Sequence, residues 1–443
     1  MFQPITVLKS WSLLLLCSLF MQGCKPAPEP VSSTPATAEV QLEQLAADYV
    51  KLVLALGQHD ADYVDAYYGP PLWAEQAAAS ELSAAEIANQ ALQLREAWLS
   101  APVEDNPMYT LRRHALDRQL VALAAHATAL ASGQRSSFEQ QSRDLYDTVP
   151  PEHEFAEFDA LLQQLQQLVP GEGNLTERVQ AYRQQFVIPA DKLDQVFVRA
   201  IAECRQRTLK HISLPAGENF ELEYVQDKPW SGYNWYKGKA FSLIQINSER
   251  PIDISRAVDL GCHEGYPGHH TYNALLEQNL VEQQGWVEFS VYPLFSPQSL
   301  IAEGTANYGI EMAFPGDEKW QFERDVLYPL AGLNPARAQE YHQFLQLLGK
   351  LSYAGNEVAR QYLNQQIDAE QAVQLLMQYS LNSEAEARQR LRFFDKYGAY
   401  VINYNWGKDL VKAYVEQADT DAMRWQRFIR LISTPQVPSS LSW

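Results

Sequence analysis

Eight consecutive residues, His263-Glu264-Gly265-Tyr266-Pro267-Gly268-His269-His270, hold three of the chain's nine histidines next to a glutamate. Neutral imidazoles are good zinc ligands, and a carboxylate beside them can take a proton from water. The nearest pattern is H-E-x-x-H, in which histidines at i and i+4 bind zinc from one helix face and the glutamate is the general base. Here the i+4 position is Pro267. Proline removes a helix hydrogen bond and Gly268 permits a sharp bend, so a two-residue bulge would bring His269 to where the i+4 histidine stands. On a straight helix, at about 100° per residue, His270 would align with His263 instead. Proline disfavours the straight path, so His263 and His269 are the preferred pair and His270 a candidate supporting residue. The plain alternative is a histidine-rich surface turn.

A catalytic zinc needs a third protein ligand and an open fourth position. Glu303 is the best candidate. Ser296-Pro297 is a strong helix start, cap then proline, and the helix runs through Leu300, Ile301, Glu303 and Ile310 to Pro315-Gly316. Gly304, Ala306 and Gly309 would let another helix approach closely. Two histidines and a glutamate from two packed helices form the ligand set of thermolysin-like zinc peptidases. In the plain alternative Glu303 pairs with an arginine.

The elements that must position these groups are mostly helical. Leu42, Leu45, Tyr49, Leu52 and Leu56 recur at three and four residues before Gly57, and further helices are expected near 73–100, 108–133, 135–147, 153–168, 175–187 and 190–212. Phe220, Leu222 and Tyr224 alternate with glutamates as a strand does, and Phe241–Asn247 reads as a second strand after an aromatic turn at Trp230, Tyr233, Trp235 and Tyr236. Helices resume near 253, where Asp253 can cap a segment burying Ile254, Ala257, Val258 and Cys262. The expected architecture is a helical lobe (39–215), a metal-site lobe (216–433) and a short tail (434–443), folded as one unit with a small sheet beside the metal-binding helix.

Composition bounds the rest. The chain has 443 residues, 46% hydrophobic and 20% charged, enough for a large core. A formal charge of −19 repels phosphate backbones, so no nucleic-acid partner is expected. Residues 1–23 read as a lipoprotein signal peptide: Lys9, then an apolar run of about eleven residues, roughly half a spanning helix. Met21-Gln22-Gly23-Cys24 resembles the bacterial lipobox, whose cysteine is lipidated. Residues 24–38 carry four prolines among Ser, Thr and Ala, a spacer. The expected setting is the cell envelope, with contact to a membrane only through lipid on Cys24, and lysine after that cysteine favours the periplasmic face of the outer membrane. Cys204 and Cys262 could pair in an oxidising compartment, but two buried free thiols are the expected state.

HEGYPGHH, with IAEGTANYGIE downstream, resembles the bacterial domain-of-unknown-function 885 family, grouped with gluzincin-type metallopeptidases and carrying HExxPGHH and a later EGxAxY segment. Asp62–Trp73, Pro170–Val179, Lys228–Tyr236 and Ser296–Ser299 are also similar to family sequences, so the likeness spans most of residues 39–420. Thr305 stands where the family usually has tryptophan. The resemblance implies a mainly α, gluzincin-like two-lobed fold, with His263, His269 and Glu303 as zinc ligands and Glu264 as base. Many members are lipoproteins or secreted.

The expected function is zinc-dependent hydrolysis of peptide (amide) bonds: zinc polarises the carbonyl and acidifies water, and Glu264 carries the proton to the leaving amine. The oxyanion needs a further donor. Tyr397, Tyr400 and Tyr404 are candidates, with Tyr404 preferred and Tyr308 the alternative. Phe241–Asn247 is expected to pair with extended substrate. Arg256 and Lys408 are candidate clamps for a substrate carboxylate. Two rivals stand beside this reading: a zinc amidase acting on cell-wall peptides, and a non-catalytic envelope lipoprotein binding peptides or glycans. A serine hydrolase is disfavoured because no G-x-S-x-G occurs.

Overall fold

Helix boundaries follow caps written into the sequence. Ser83 and Glu86 form a reciprocal capping box at the start of Ala84–Ser100, Asn106 caps Pro107–Ser132, and Ser296 accepts the amide of Ser299 at the start of Pro297–Ala313. The computed structural model describes residues 34–442 except 229; the signal, Cys24 and most of the spacer lie outside the described residues. The chain is mainly helical, with small sheets beside the histidine-bearing segment. The first helix, Thr34–Leu56, stops before Gly57 as its periodicity predicts, but begins inside the expected spacer. The expected helix 73–100 is two, Pro71–Ala78 and Ala84–Ser100, because the Ser83 capping box restarts it.

The apolar cores draw on distant parts of the chain. One core joins Leu42–Tyr146 to Val358–Ile402 and to Val291, Phe295 and Leu300. A second joins Phe158–Cys204 to Ile244, Ile246 and Ile254–Tyr266, and to Ala313–Ala354. A third cluster, including Tyr272, Ile301, Val411 and Phe428, lies under the Pro297–Ala313 helix. Burial of apolar surface in all three requires late segments to fold onto early ones, which helical periodicity does not reveal. The expected tail also packs: Val437 and Leu441 are buried. Among the described residues no helix is long and apolar enough to cross a membrane.

Among the described residues five strands form two sheets. β1 (Val64–Tyr67) pairs antiparallel with β5 (Val291–Pro293), and β2 (Asn219–Val225), β3 (Gly232–Tyr236) and β4 (Phe241–Asn247) lie in the order β2-β4-β3. β2 and β4 have the expected positions. The aromatic turn is instead a strand, β3, paired antiparallel with β4 from Gly232↔Ile246 to Tyr236↔Ser242. Its aromatic side chains suit a pleated, half-buried surface, and they hid the alternation. β4 is therefore central, bonded to β2 on one side and β3 on the other, and has no free edge for an extended peptide.

Cys204 and Cys262 are disulfide-bonded rather than free thiols. Gly261 lets the Leu193–Thr208 helix come close enough: a Cβ there would lie 3.1 Å from Ile201 Cγ1. The bond also removes Cys262 as a nucleophile. It closes a chain separation of 58 residues, worth about 2–4 kcal/mol on a chain-entropy account. Cys204→Ala is expected to lower the denaturant-unfolding free energy by about that amount. Reducing the wild type should produce the same loss, and reductant should leave the variant unchanged.

Candidate metal centre

The segment carrying the histidines leaves its helix in a defined way. Ser255–Leu260 is α-helical, Gly261–Gly265 is one π-helical turn, Tyr266-Pro267 is cis, and a new helix runs from His269 to Leu276. This is the expected bulge, and it turns His269 back towards His263. Gly268 donates its amide to the Cys262 carbonyl at 3.0 Å, and a Cβ on it would fall 1.8 Å from the His263 carbonyl oxygen, so only glycine fits.

Glu303 arrives on the Pro297–Ala313 helix, packed from both sides. A Cβ on Gly309 would meet Pro267 Cγ at 2.9 Å, and one on Gly304 would meet the Gly407 carbonyl at 2.4 Å. The small residues thus admit the Pro267 ring of the histidine turn on one side and the backbone of the Ile402–Val415 helix on the other.

The three side chains converge. His263 Nε2 lies 3.2 Å from His269 Nε2 and 3.3 Å from Glu303 Oε2, and His269 Nε2 lies 3.8 Å from Glu303 Oε1. Ligand atoms of all three fall within 4.8 Å of one another. Tetrahedral zinc with bonds of about 2.0–2.1 Å sets neighbouring ligands roughly 3.3 Å apart, so this donor set fits such an ion. Glu303 Oε2 is buried without a hydrogen bond of normal geometry, and Oε1 accepts from the Tyr400 hydroxyl at 3.1 Å. Burial pulls His269 down to about 4, although Glu303 opposes it, which keeps the imidazole neutral as a ligand must be.

Glu264 is buried beside them. Burial pushes its carboxyl up to about 7, with His263 pulling it down and Glu303 pushing it further up. The Asn234 amide donates to the Glu264 carbonyl at 2.7 Å, and Gly232 lets β3 lie over the carboxylate, since a Cβ there would be 2.9 Å from Oε1. Tyr404 lines the same cleft, 39% exposed, with its ring edge-on to Tyr400 at 5.7 Å between centroids. Burial raises its hydroxyl pKa, and Glu303 and Glu264 raise it further, so it is held protonated as a donor. Tyr400 and Tyr308 are engaged elsewhere, with Glu303 and, at 3.4 Å, Glu416. Lys408 is committed to Glu311 at 2.5 Å, whereas Arg256 lines the cleft 3.8 Å from Asp259.

His270 does not join the three. It is fully buried beneath them, with Nδ1 2.8 Å from Ser242 Oγ and Nε2 3.1 Å from Glu218 Oε2. Burial would raise Glu218, but hydrogen bonds from His270, Tyr266 and Arg205 hold it down at about 2.

Asp65 on β1 went unread in the sequence. It shares the cleft, accepts from the Tyr233 hydroxyl, and is pushed up to about 8 by burial, with Glu303 and Glu264 adding to the rise. It lies in the family-like segment Asp62–Trp73, but only the strand pairing of β1 with β5 brings it here. The cleft encloses about 2110 Å³.

Two outcomes follow from this geometry. Elemental analysis should find one divalent metal ion per chain, lost in His263→Ala, His269→Ala and Glu303→Ala but kept in His270→Gln. Because Glu218 is depressed below its ordinary value of 4.5, its stabilisation is complete above that pH and fades as pH falls towards about 2. Glu218→Gln should therefore flatten the acid limb of the stability curve, read from melting temperature against pH.

Neither a family model nor a curated protein matches the chain. Among solved structures it is similar to a putative lipoprotein from Colwellia psychrerythraea, with TM-score 0.51 and 17% identity, covering 82% of this chain and 66% of that one. The chain thus spans just under two thirds of that protein. It is also similar to an M32 carboxypeptidase from Deinococcus radiodurans R1, with TM-score 0.49 and 13% identity, covering 91% and 94%. At these identities the likeness to the Colwellia protein concerns the fold alone.

Proposed function

We propose that the protein is a zinc-dependent hydrolase of amide bonds in peptides, with His263, His269 and Glu303 as its ligands. The observation that carries this reading is the approach of two imidazoles and a buried carboxylate to 3.2–3.8 Å, with Glu264 alongside in an open cleft. A purely structural metal site is closed and has no use for a buried base beside it. Zinc held there would supply Lewis-acid polarisation of the scissile carbonyl and a lowered pKa for water.

The chain's own groups supply the rest. Glu264, poised near neutrality, accepts a proton on its carboxylate and returns it to the leaving amine nitrogen. The Tyr404 hydroxyl donates to the oxygen that gains charge. Tyr400 fixes the Glu303 carboxylate in one orientation. With β4 paired on both sides, the free edge for an extended substrate backbone is that of β3, which lines the cleft. The envelope setting with lipid on Cys24 belongs to the same proposal, and the Cys204–Cys262 disulfide supports an oxidising compartment.

A peptide library read by mass spectrometry tests the reading. Glu264→Gln should lower kcat by about 10²–10⁴-fold with metal content unchanged. Tyr404→Phe should lower kcat by about 10²–10³-fold and move KM little. Turnover of peptidoglycan fragments with none of linear peptides would instead select the amidase.

A further inference from the structure

Five arginines line the cleft, and four are matched to acids. Arg183 pairs with Asp253 at 3.0 Å, Arg256 with Asp259 at 3.8 Å, Arg424 with Asp421 at 3.2 Å, and Arg207 with Glu203 at 2.8 Å. Arg390, on the helix Glu384–Tyr397, is the exception among the described residues. Its surroundings are aromatic: the guanidinium carbon lies 4.8 Å from the Phe393 ring centroid and 5.4 Å from that of Phe394. Burial pulls its pKa below the usual arginine value, and the group opposing that is the Tyr404 hydroxyl. The Tyr404 hydroxyl is influenced in turn by Glu303 and Glu264, and all four groups line the same cleft.

A half-buried guanidinium without an anion is costly, and stacking on two rings offsets that cost without satisfying its N–H donors. Arg390 lines the cleft without an acid of its own, and a guanidinium stacked on rings keeps its N–H edge, the part that binds a carboxylate bidentately, available to a ligand. We infer that Arg390 anchors the α-carboxylate of a peptide's C-terminal residue, which makes the substrate class peptides with a free C-terminus and the cut one made from that end. Turnover in this form rests on the peptidase reading above, whereas the binding does not.

The test uses the purified metal-loaded protein and calorimetry with an uncleavable probe, acetyl-Ala-Ala-D-Phe, as the free acid and as the C-terminal amide. A third probe, the amide with aspartate at its middle position, asks whether a side-chain carboxylate serves instead. The acid should bind about 10- to 100-fold tighter than either amide. Arg390→Met, which keeps the contact with the rings, should abolish that difference, and Arg390→Lys should restore part of it; melting temperatures confirm that both fold. Equal affinity for acid and plain amide, a preference for the aspartyl amide, or a preference that survives Arg390→Met would overturn the inference. If the acid preference stands and depends on Arg390 while no peptide is turned over, the peptidase reading fails and the anchor remains.

Discussion

Three buried carboxyl groups, Asp65, Glu264 and Glu303, repel one another at one site, with two imidazoles among them. Without a cation such a cluster resists ionisation, and both Asp65 and Glu264 are accordingly pushed well above the ordinary carboxylate range. The one acid that stays low, Glu303, is also the one touching both histidines and Tyr400. The surroundings therefore sort three similar groups into different protonation states, and a divalent ion at the three donor atoms would relieve their mutual repulsion.

Holding that arrangement needs segments brought unusually close together. Gly268 against the His263 carbonyl, Gly309 against Pro267 and Gly304 against Gly407 are three such approaches, each without room for a Cβ. The disulfide and the buried His270–Glu218 pair brace the same turn from behind. The donor atoms are thus positioned by packed elements rather than by flexible loops, which is what a preorganised site requires.

Much of this could be read before folding because it is local. Histidine spacing, the proline that breaks it, and the Ser296-Pro297 start of the Glu303 helix are all properties of short segments, as are the positions of β2 and β4. What escaped is relational. β3 looked like a turn because aromatic residues fill both its faces, and β4 became central only once β3 paired with it. Asp65 reaches the site through pairing with a strand more than two hundred residues later. Tyr400 and Tyr404 are equivalent by spacing, and only packing gives one to Glu303 and leaves the other in the cleft. The cysteines likewise needed two helices to meet before their pairing was legible.

The interleaved cores bear on how the chain folds in time. The core containing Leu42–Tyr146 is completed by Val358–Ile402, so the earliest-made helices have no finished partner until nearly the whole chain exists. Contacts this distant in sequence slow folding and leave apolar faces uncovered while the chain waits. For the same reason, loss of the segment from residue 358 on would strip that core of the side chains Val358–Ile402 contribute and take Tyr400 from Glu303 at once. Folding and assembly of the site are therefore a single late event, and a shortened chain would be a target for aggregation or proteolysis rather than a weaker copy of the whole.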